Sequence, residues 1–149
     1  MIDFSQIPSP CYVIDEDLLR GNLEIIRSVS ERSKVDIIPA LKGFALWGVF
    51  PTMRSCVKGV SASSLNEARL ACEEMKAPAH CYSPAYTDAD FDEILAYSSH
   101  ITFNSLTQYS RFREKVIRCG HPVSMGLRVN PELTQVDTEL YNPCAPGSR

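Results

Sequence analysis

The sequence predicts an α/β domain in which strands alternate with helices around a parallel sheet. Three observations point there. After a first apolar run at Cys11–Ile14, β-leaning runs start at residues 35, 57, 79, 100 and 123, a recurrence of roughly 20 to 24 residues. The stretches between them carry helical spacing and N-terminal capping signals. No Gly/Ser-rich linker or low-complexity tract interrupts the series. Such alternation implies βαβ units.

Taken in order, Cys11–Ile14 is the first run, and Asp15 before Glu16-Asp17-Leu18 is an N-cap for a helix running to about Ser33. Val35–Leu41 is the second run. The longest apolar stretch, Ile37 to Phe50, is broken by Lys42, and Trp47 is expected to pack in the core against the helix that follows. Val57–Ala62 is next, and Ser64-Leu-Asn-Glu67 fits a capping box. The steps of three and four in Leu65, Ala68, Cys72 and Met75 put these side chains on one helix face. After Ala79–Ser83, Thr87-Asp-Ala-Asp90 is a weaker box with a shorter acid. After His100–Phe103, Ser105-Leu-Thr-Gln108 is a full one, and Val123–Val129 is the last run. Pro143-Cys-Ala-Pro-Gly-Ser-Arg149 reads as loop.

Beyond the first run this makes five strands and four intervening helices. A closed (β/α)8 barrel needs eight strands and typically ~250 residues. A small doubly wound sheet and the first five-eighths of a barrel both fit the pattern.

The chain has 149 residues, 44% of them hydrophobic and 22% charged, enough to bury a core. Lys and Arg number 15 against 18 Asp and Glu, a net charge of −3 that argues against nucleic acid, whose phosphates demand clustered cations. The longest apolar stretch is shorter than the roughly 20 residues of a spanning helix, so no membrane partner is expected. Met1-Ile2-Asp3-Phe4-Ser5 has no basic patch followed by an apolar core, hence no secretory signal. Six cysteines, none in a C-x-x-C pair, are expected to be reduced, mostly buried thiols of a cytoplasmic protein rather than ligands of a metal.

Lys42 is the chemically unusual residue. At the C-terminal end of an apolar strand its ammonium group would be partly desolvated, which lowers its pKa and favours a nucleophilic amine able to form a Schiff base. Active sites of barrels lie at such strand ends. The alternative is that Lys42 marks the strand end and reaches water. Gly43 beside it would allow a close backbone approach to a ligand.

Pro39-Ala-Leu-Lys-Gly-Phe44 resembles the lysine strand of the fold-type III pyridoxal-phosphate enzymes, the alanine-racemase-like barrels that include ornithine and diaminopimelate decarboxylases. The resemblance is strongest to the carboxynorspermidine decarboxylase branch. Ser61-Ala-Ser-Ser-Leu-Asn-Glu-Ala-Arg-Leu70, His80-Cys-Tyr-Ser-Pro-Ala-Tyr86, Ile101-Thr-Phe-Asn-Ser105 and Gly126-Leu-Arg-Val-Asn-Pro131 carry it in order, and Tyr141-Asn-Pro-Cys-Ala-Pro-Gly-Ser-Arg149 is similar to a segment of that branch.

The resemblance implies a pyridoxal 5'-phosphate-dependent carboxy-lyase of polyamine biosynthesis. It would convert carboxynorspermidine or carboxyspermidine to norspermidine or spermidine, and would be a homodimer when full length. It implies that Lys42 forms the Schiff base. Ala40 would line the space beside the cofactor, and Glu67 would be the acidic residue near it, with a capping role as the competing explanation. Arg128 would stand close to the active site, with a structural ion pair as the alternative. It further implies a partial (β/α)8 barrel of about five βα units. Residues 1–14 would form a segment that pairs with a C-terminal β-domain absent from this chain, and residues 15–149 the incomplete barrel. The ring-stacking histidine, phosphate loop and pyridine-nitrogen acid of the family have no counterpart here, and His80, His100 and His121 are read as structural or solvated. The expectation is therefore an N-terminal fragment, inactive alone. Two alternatives stay open: another fold-type III enzyme, such as diaminopimelate decarboxylase or an amino-acid racemase, and a non-catalytic remnant.

Overall fold

Asp15 opens the first helix as its short acid favours, accepting hydrogen bonds from the backbone N–H groups of Asp17 at 3.0 Å and Leu18 at 3.1 Å. Helix α1 then spans Glu16–Ser33 and ends at Lys34 in the left-handed conformation. Asp15→Ala is expected to cost about 1 kcal/mol, read as a shifted urea midpoint. An unchanged midpoint would show that the cap contributes nothing. The computed structural model describes residues 3–147. Met1, Ile2, Ser148 and Arg149, at the outer ends of the expected segments and of the Tyr141–Arg149 motif, lie outside the described residues.

A short helix α2 (Phe50–Met53) leads to strand β1 (Val60–Ala62). Helix α3 (Leu65–Leu70) continues as a π turn over Ala71–Met75. Strand β2 (Ala79–Tyr82), helix α4 (Asp88–Ala96), strand β3 (Ser98–Phe103), helix α5 (Leu106–Ile117) and strand β4 (Ser124–Leu127) follow. The strands pair in the order β1-β2-β3-β4, all parallel, with an irregularity at Ala79/His80.

One sheet face is the core. Val60, Ala62, Ala79, Cys81, Ile101 and Phe103 are buried there, beneath Ala68, Ala71 and Met75 after β1, Phe91, Ile94 and Leu95 of α4, and Phe112 and Val116 of α5. Because side chains alternate along a strand, Ser61, His80, Tyr82, Thr102 and Gly126 fall on the opposite face. That face is polar and half-buried to exposed.

Several expectations are corrected. Val35–Leu41 is not a strand: it joins the sheet through one bridge, Ala40 to Ser61, made by Ser61 N–H to Pro39 C=O at 2.8 Å and Leu41 N–H to Ser61 C=O at 3.0 Å. The next rung needs an N–H from residue 39, which proline lacks. Four strands are therefore seen where five were expected. Cys11–Ile14 forms no strand, since no described chain lies alongside to pair with it. Trp47 is 60% exposed in a 3-10 turn over Trp47–Val49, and Val49, Phe50 and Met53 fill the core instead. The π turn, one residue wider than an α turn, buries Ala71 and leaves Cys72 half-buried. Cys81 is buried, Cys11 is exposed, and the other four cysteines are intermediate; all six are free thiols.

Candidate functional site

Both full capping boxes form, with one difference. Ser64 Oγ accepts the Glu67 N–H at 3.2 Å and Ser105 Oγ accepts the Gln108 N–H at 3.1 Å, as expected. The longer side chains, however, reach one residue further back. Glu67 Oε2 accepts the Ser63 N–H and Gln108 Oε1 accepts the Asn104 N–H, each at 2.7 Å. The shorter Asp90 reaches only the Thr87 hydroxyl, at 2.9 Å. Glu67 and Gln108 thus clamp the turns that leave the C-terminal ends of β1 and β3, where residues of the uncovered face project.

At those ends lie the predicted site residues. Ala40 is half-buried on the bridge to Ser61, and Lys42 follows in a tight turn closed by Gly43 and Phe44 N–H groups on Ala40 C=O. Lys42 is exposed rather than partly desolvated, because no described strand lies outside the bridge. Its amine has no hydrogen-bond or ion-pair partner among the described residues. A Cβ on Gly43 would meet Ala40 C=O at an ordinary 3.5 Å, so the fold itself does not demand glycine there.

Glu67 is half-buried after β1 and serves as the capping residue. Arg128 follows β4, its N–H bonded to Phe103 C=O at 2.9 Å. Its Nη1 donates to Tyr82 Oη at 3.0 Å and to Asn104 Oδ1 at 3.3 Å, and Tyr82 Oη donates to Asn104 Oδ1 at 2.8 Å. The ends of β2, β3 and β4 meet in this triangle. Lys42, Glu67 and Arg128 make no contact with one another through hydrogen bonds or ion pairs. Tyr82 and Asn104 were not singled out from the sequence, although both sit at the end of a β-leaning run. The signal available was that shared position, one that only the strand register turns into proximity.

Further down the same face, the His80 and His100 rings stack at 3.9 Å with 17° between planes. Burial, and then the neighbouring His100, hold the His80 pKa below its ordinary value, opposed by Asp36. A histidine whose folded pKa is depressed supports stability above its unfolded pKa of 6.5, and that support is lost as pH falls. Thermal stability is therefore expected to fall on acidification below pH 6.5, with a shallower fall in His80→Gln. Equal slopes for both proteins would exclude His80 as a source.

A cleft of about 500 Å³ lies between α1 and residues 54–58. An apolar one of about 170 Å³ lies between α1, Pro39 and Met53. Neither is lined by Lys42, Glu67 or Arg128, and the larger sits at the opposite ends of the strands. Among the described residues no helix is long and apolar enough to cross a membrane.

Comparison with known proteins shows what shares this arrangement. The chain is 49% identical over 145 residues to carboxyaminopropylagmatine decarboxylase of Synechocystis sp., covering 97% of this chain and 37% of that protein. It is 41% identical over 146 residues to carboxynorspermidine/carboxyspermidine decarboxylase of Campylobacter jejuni, covering 98% and 37%. The enzyme of that name from Herminiimonas arsenicoxydans is 38% identical over 143 residues, covering 96% and 38%. Carboxy(nor)spermidine decarboxylases are its homologues.

The crystal structure of carboxynorspermidine decarboxylase from C. jejuni, in complex with norspermidine, superposes with a TM-score of 0.81 at 39% identity, over 89% of this chain and 35% of that one. D-threonine aldolase from Filomicrobium marinum, at TM-score 0.73 and 12% identity over 85% and 36%, shares the fold alone. No family model matches. The chain spans about 37% of the length of the decarboxylases it matches.

Proposed function

We propose that this chain carries the lysine-bearing part of a pyridoxal 5'-phosphate-dependent decarboxylase acting on a carboxylated polyamine. The observation that carries the reading is likeness to these decarboxylases along almost the whole chain, with Lys42 in the turn after the Ala40 bridge. On this reading the lysine run and the four strands are successive staves of an alanine-racemase-like barrel, and residues 1–14 are a separate segment pairing outside it. The whole enzyme is a cytoplasmic homodimer.

The residues present fit the cofactor in part. An unpartnered primary amine suits its aldehyde, a cationic guanidinium suits its anionic oxygens, and the small Ala40 leaves room for its ring. Lys42 would hold it, with Arg128 and Glu67 beside it. Pyridoxal phosphate, when bound, supplies the electron sink for the bond cleavage. The reaction breaks the bond between the α-carbon and the carboxylate, releases CO₂ and returns a proton to that carbon. Of the chain's own residues, Lys42 carries an exposed amine in the turn after the Ala40 bridge, Arg128 an ordered cation after β4, and Glu67 a carboxylate that holds the Ser63 N–H.

Carboxynorspermidine and carboxyspermidine are the substrates suggested by the C. jejuni relative. Carboxyaminopropylagmatine is a second reading, favoured by the higher identity of 49% to the Synechocystis enzyme. The test is CO₂ release by the whole natural protein, supplied with pyridoxal phosphate and each of the three substrates, with diaminopimelate as a fourth. Release from a carboxylated polyamine is expected. Release from diaminopimelate alone would assign another reaction on the same fold, and release from none would leave the non-catalytic remnant.

A further inference from the structure

Arg128 is a half-buried cation with no carboxylate partner. Its two side-chain hydrogen bonds go to neutral groups, Tyr82 Oη and Asn104 Oδ1, and both use Nη1. A guanidinium carries five N–H donors in a planar fork. The donors on Nε and Nη2 make no hydrogen bond among the described residues. A positive charge that the protein orders but does not neutralise is an arrangement suited to an anion from outside.

The ordering is thorough. Tyr82 also lies under the guanidinium, with Cζ 5.8 Å from the ring centroid. Asn104 accepts from both Tyr82 and Arg128 through Oδ1, which settles which end of its amide faces the arginine. Its backbone is held by Gln108 Oε1 at 2.7 Å, and Gln108 is anchored through its own N–H on Ser105 at 3.1 Å. The cap of α5 therefore braces the residue that braces Arg128.

We propose that Tyr82 and Asn104 are positioning residues that hold Arg128 so that its remaining donors meet an anionic oxygen of the bound cofactor or of the substrate carboxylate. This rests on the decarboxylase reading above. Pre-ordering the fork removes a conformational cost that ligand binding would otherwise meet.

The test uses the whole natural protein and two constants. One is the affinity for pyridoxal phosphate, from absorbance titration of the apoprotein. The other is the KM for the carboxylated substrate. Tyr82→Phe, which keeps the ring, and Asn104→Ala are each expected to weaken one of them about tenfold. A change in cofactor affinity places the anion on the cofactor; a change in KM at unchanged cofactor affinity places it on the substrate carboxylate. In an Arg128→Ala background neither substitution should weaken that constant further, because the residue they hold is gone. Thermal unfolding of each variant separates this from misfolding.

Equal losses in the presence and absence of Arg128, or no change in either constant, would overturn the proposal. Its failure is distinct from failure of the decarboxylase reading. If Lys42→Ala abolishes turnover while the Tyr82 and Asn104 effects are additive with Arg128→Ala, only the positioning role falls. If the parent protein releases CO₂ from no carboxylated polyamine, the decarboxylase reading falls.

Discussion

Lys42→Ala is expected to reduce CO₂ release from the preferred substrate by at least about 10³-fold, since a covalent anchoring role has no substitute among neighbouring residues. The amine has no other task in the fold: it is exposed and unpartnered among the described residues. The same substitution should therefore leave the urea midpoint within about 0.5 kcal/mol of the parent. Borohydride treatment of the pyridoxal-phosphate-loaded protein, followed by peptide mass mapping, should place the added pyridoxyl mass on the peptide containing residue 42. A label on another lysine, or turnover retained by the alanine variant, would remove Lys42 from the chemistry.

The second large effect is on stability. Phe91 is fully buried, its ring stacked on Phe112 at 4.1 Å and on Phe103 at 6.4 Å, with Tyr86 edge-on at 5.4 Å. It joins α4 to α5 and both to β3. Phe91→Ala is expected to cost about 3–5 kcal/mol, a large share of the roughly 5–15 kcal/mol that holds a domain folded. Trp47→Ala removes a larger side chain that is 60% exposed and should cost within about 0.5 kcal/mol. Urea titration of both variants checks the contrast, and a cost at Trp47 comparable to that at Phe91 would contradict the packing described above.

Trp47 shows where reading the sequence stops. Its hydrophobicity suggests the core, yet the 3-10 turn aims Val49 inward, and apolar spacing alone does not distinguish that turn from the first turn of an α-helix. The helix caps were legible because a cap is local: Asp15, Ser64, Thr87 and Ser105 all bond within three residues of themselves. The reach of Glu67 and Gln108 to the residue before the cap was not legible, because it depends on side-chain length and on the angle at which the strand enters the helix.

Strands depend on partners elsewhere in the chain, so β2 and β3 were found within a residue or two. The Val35–Leu41 run failed as a strand on one missing N–H. Lys42, Ala40, Glu67 and Arg128 could be put forward as candidates from motifs. The Tyr82, Asn104 and Arg128 triangle joins residues 22, 24 and 46 positions apart, and register, not spacing, closes it.

The single bridge at Ala40 has a kinetic consequence. Segments open and close independently, and the free energy of opening follows the number of interactions broken. The lysine segment is joined to β1 by two backbone hydrogen bonds, whereas β2 is paired on both sides. The Leu41 amide should therefore exchange with deuterium well before that of Cys81. The Lys42 amine is carried on the most easily released length of the sheet, so anything that docks against its open side also sets how long the amine holds still.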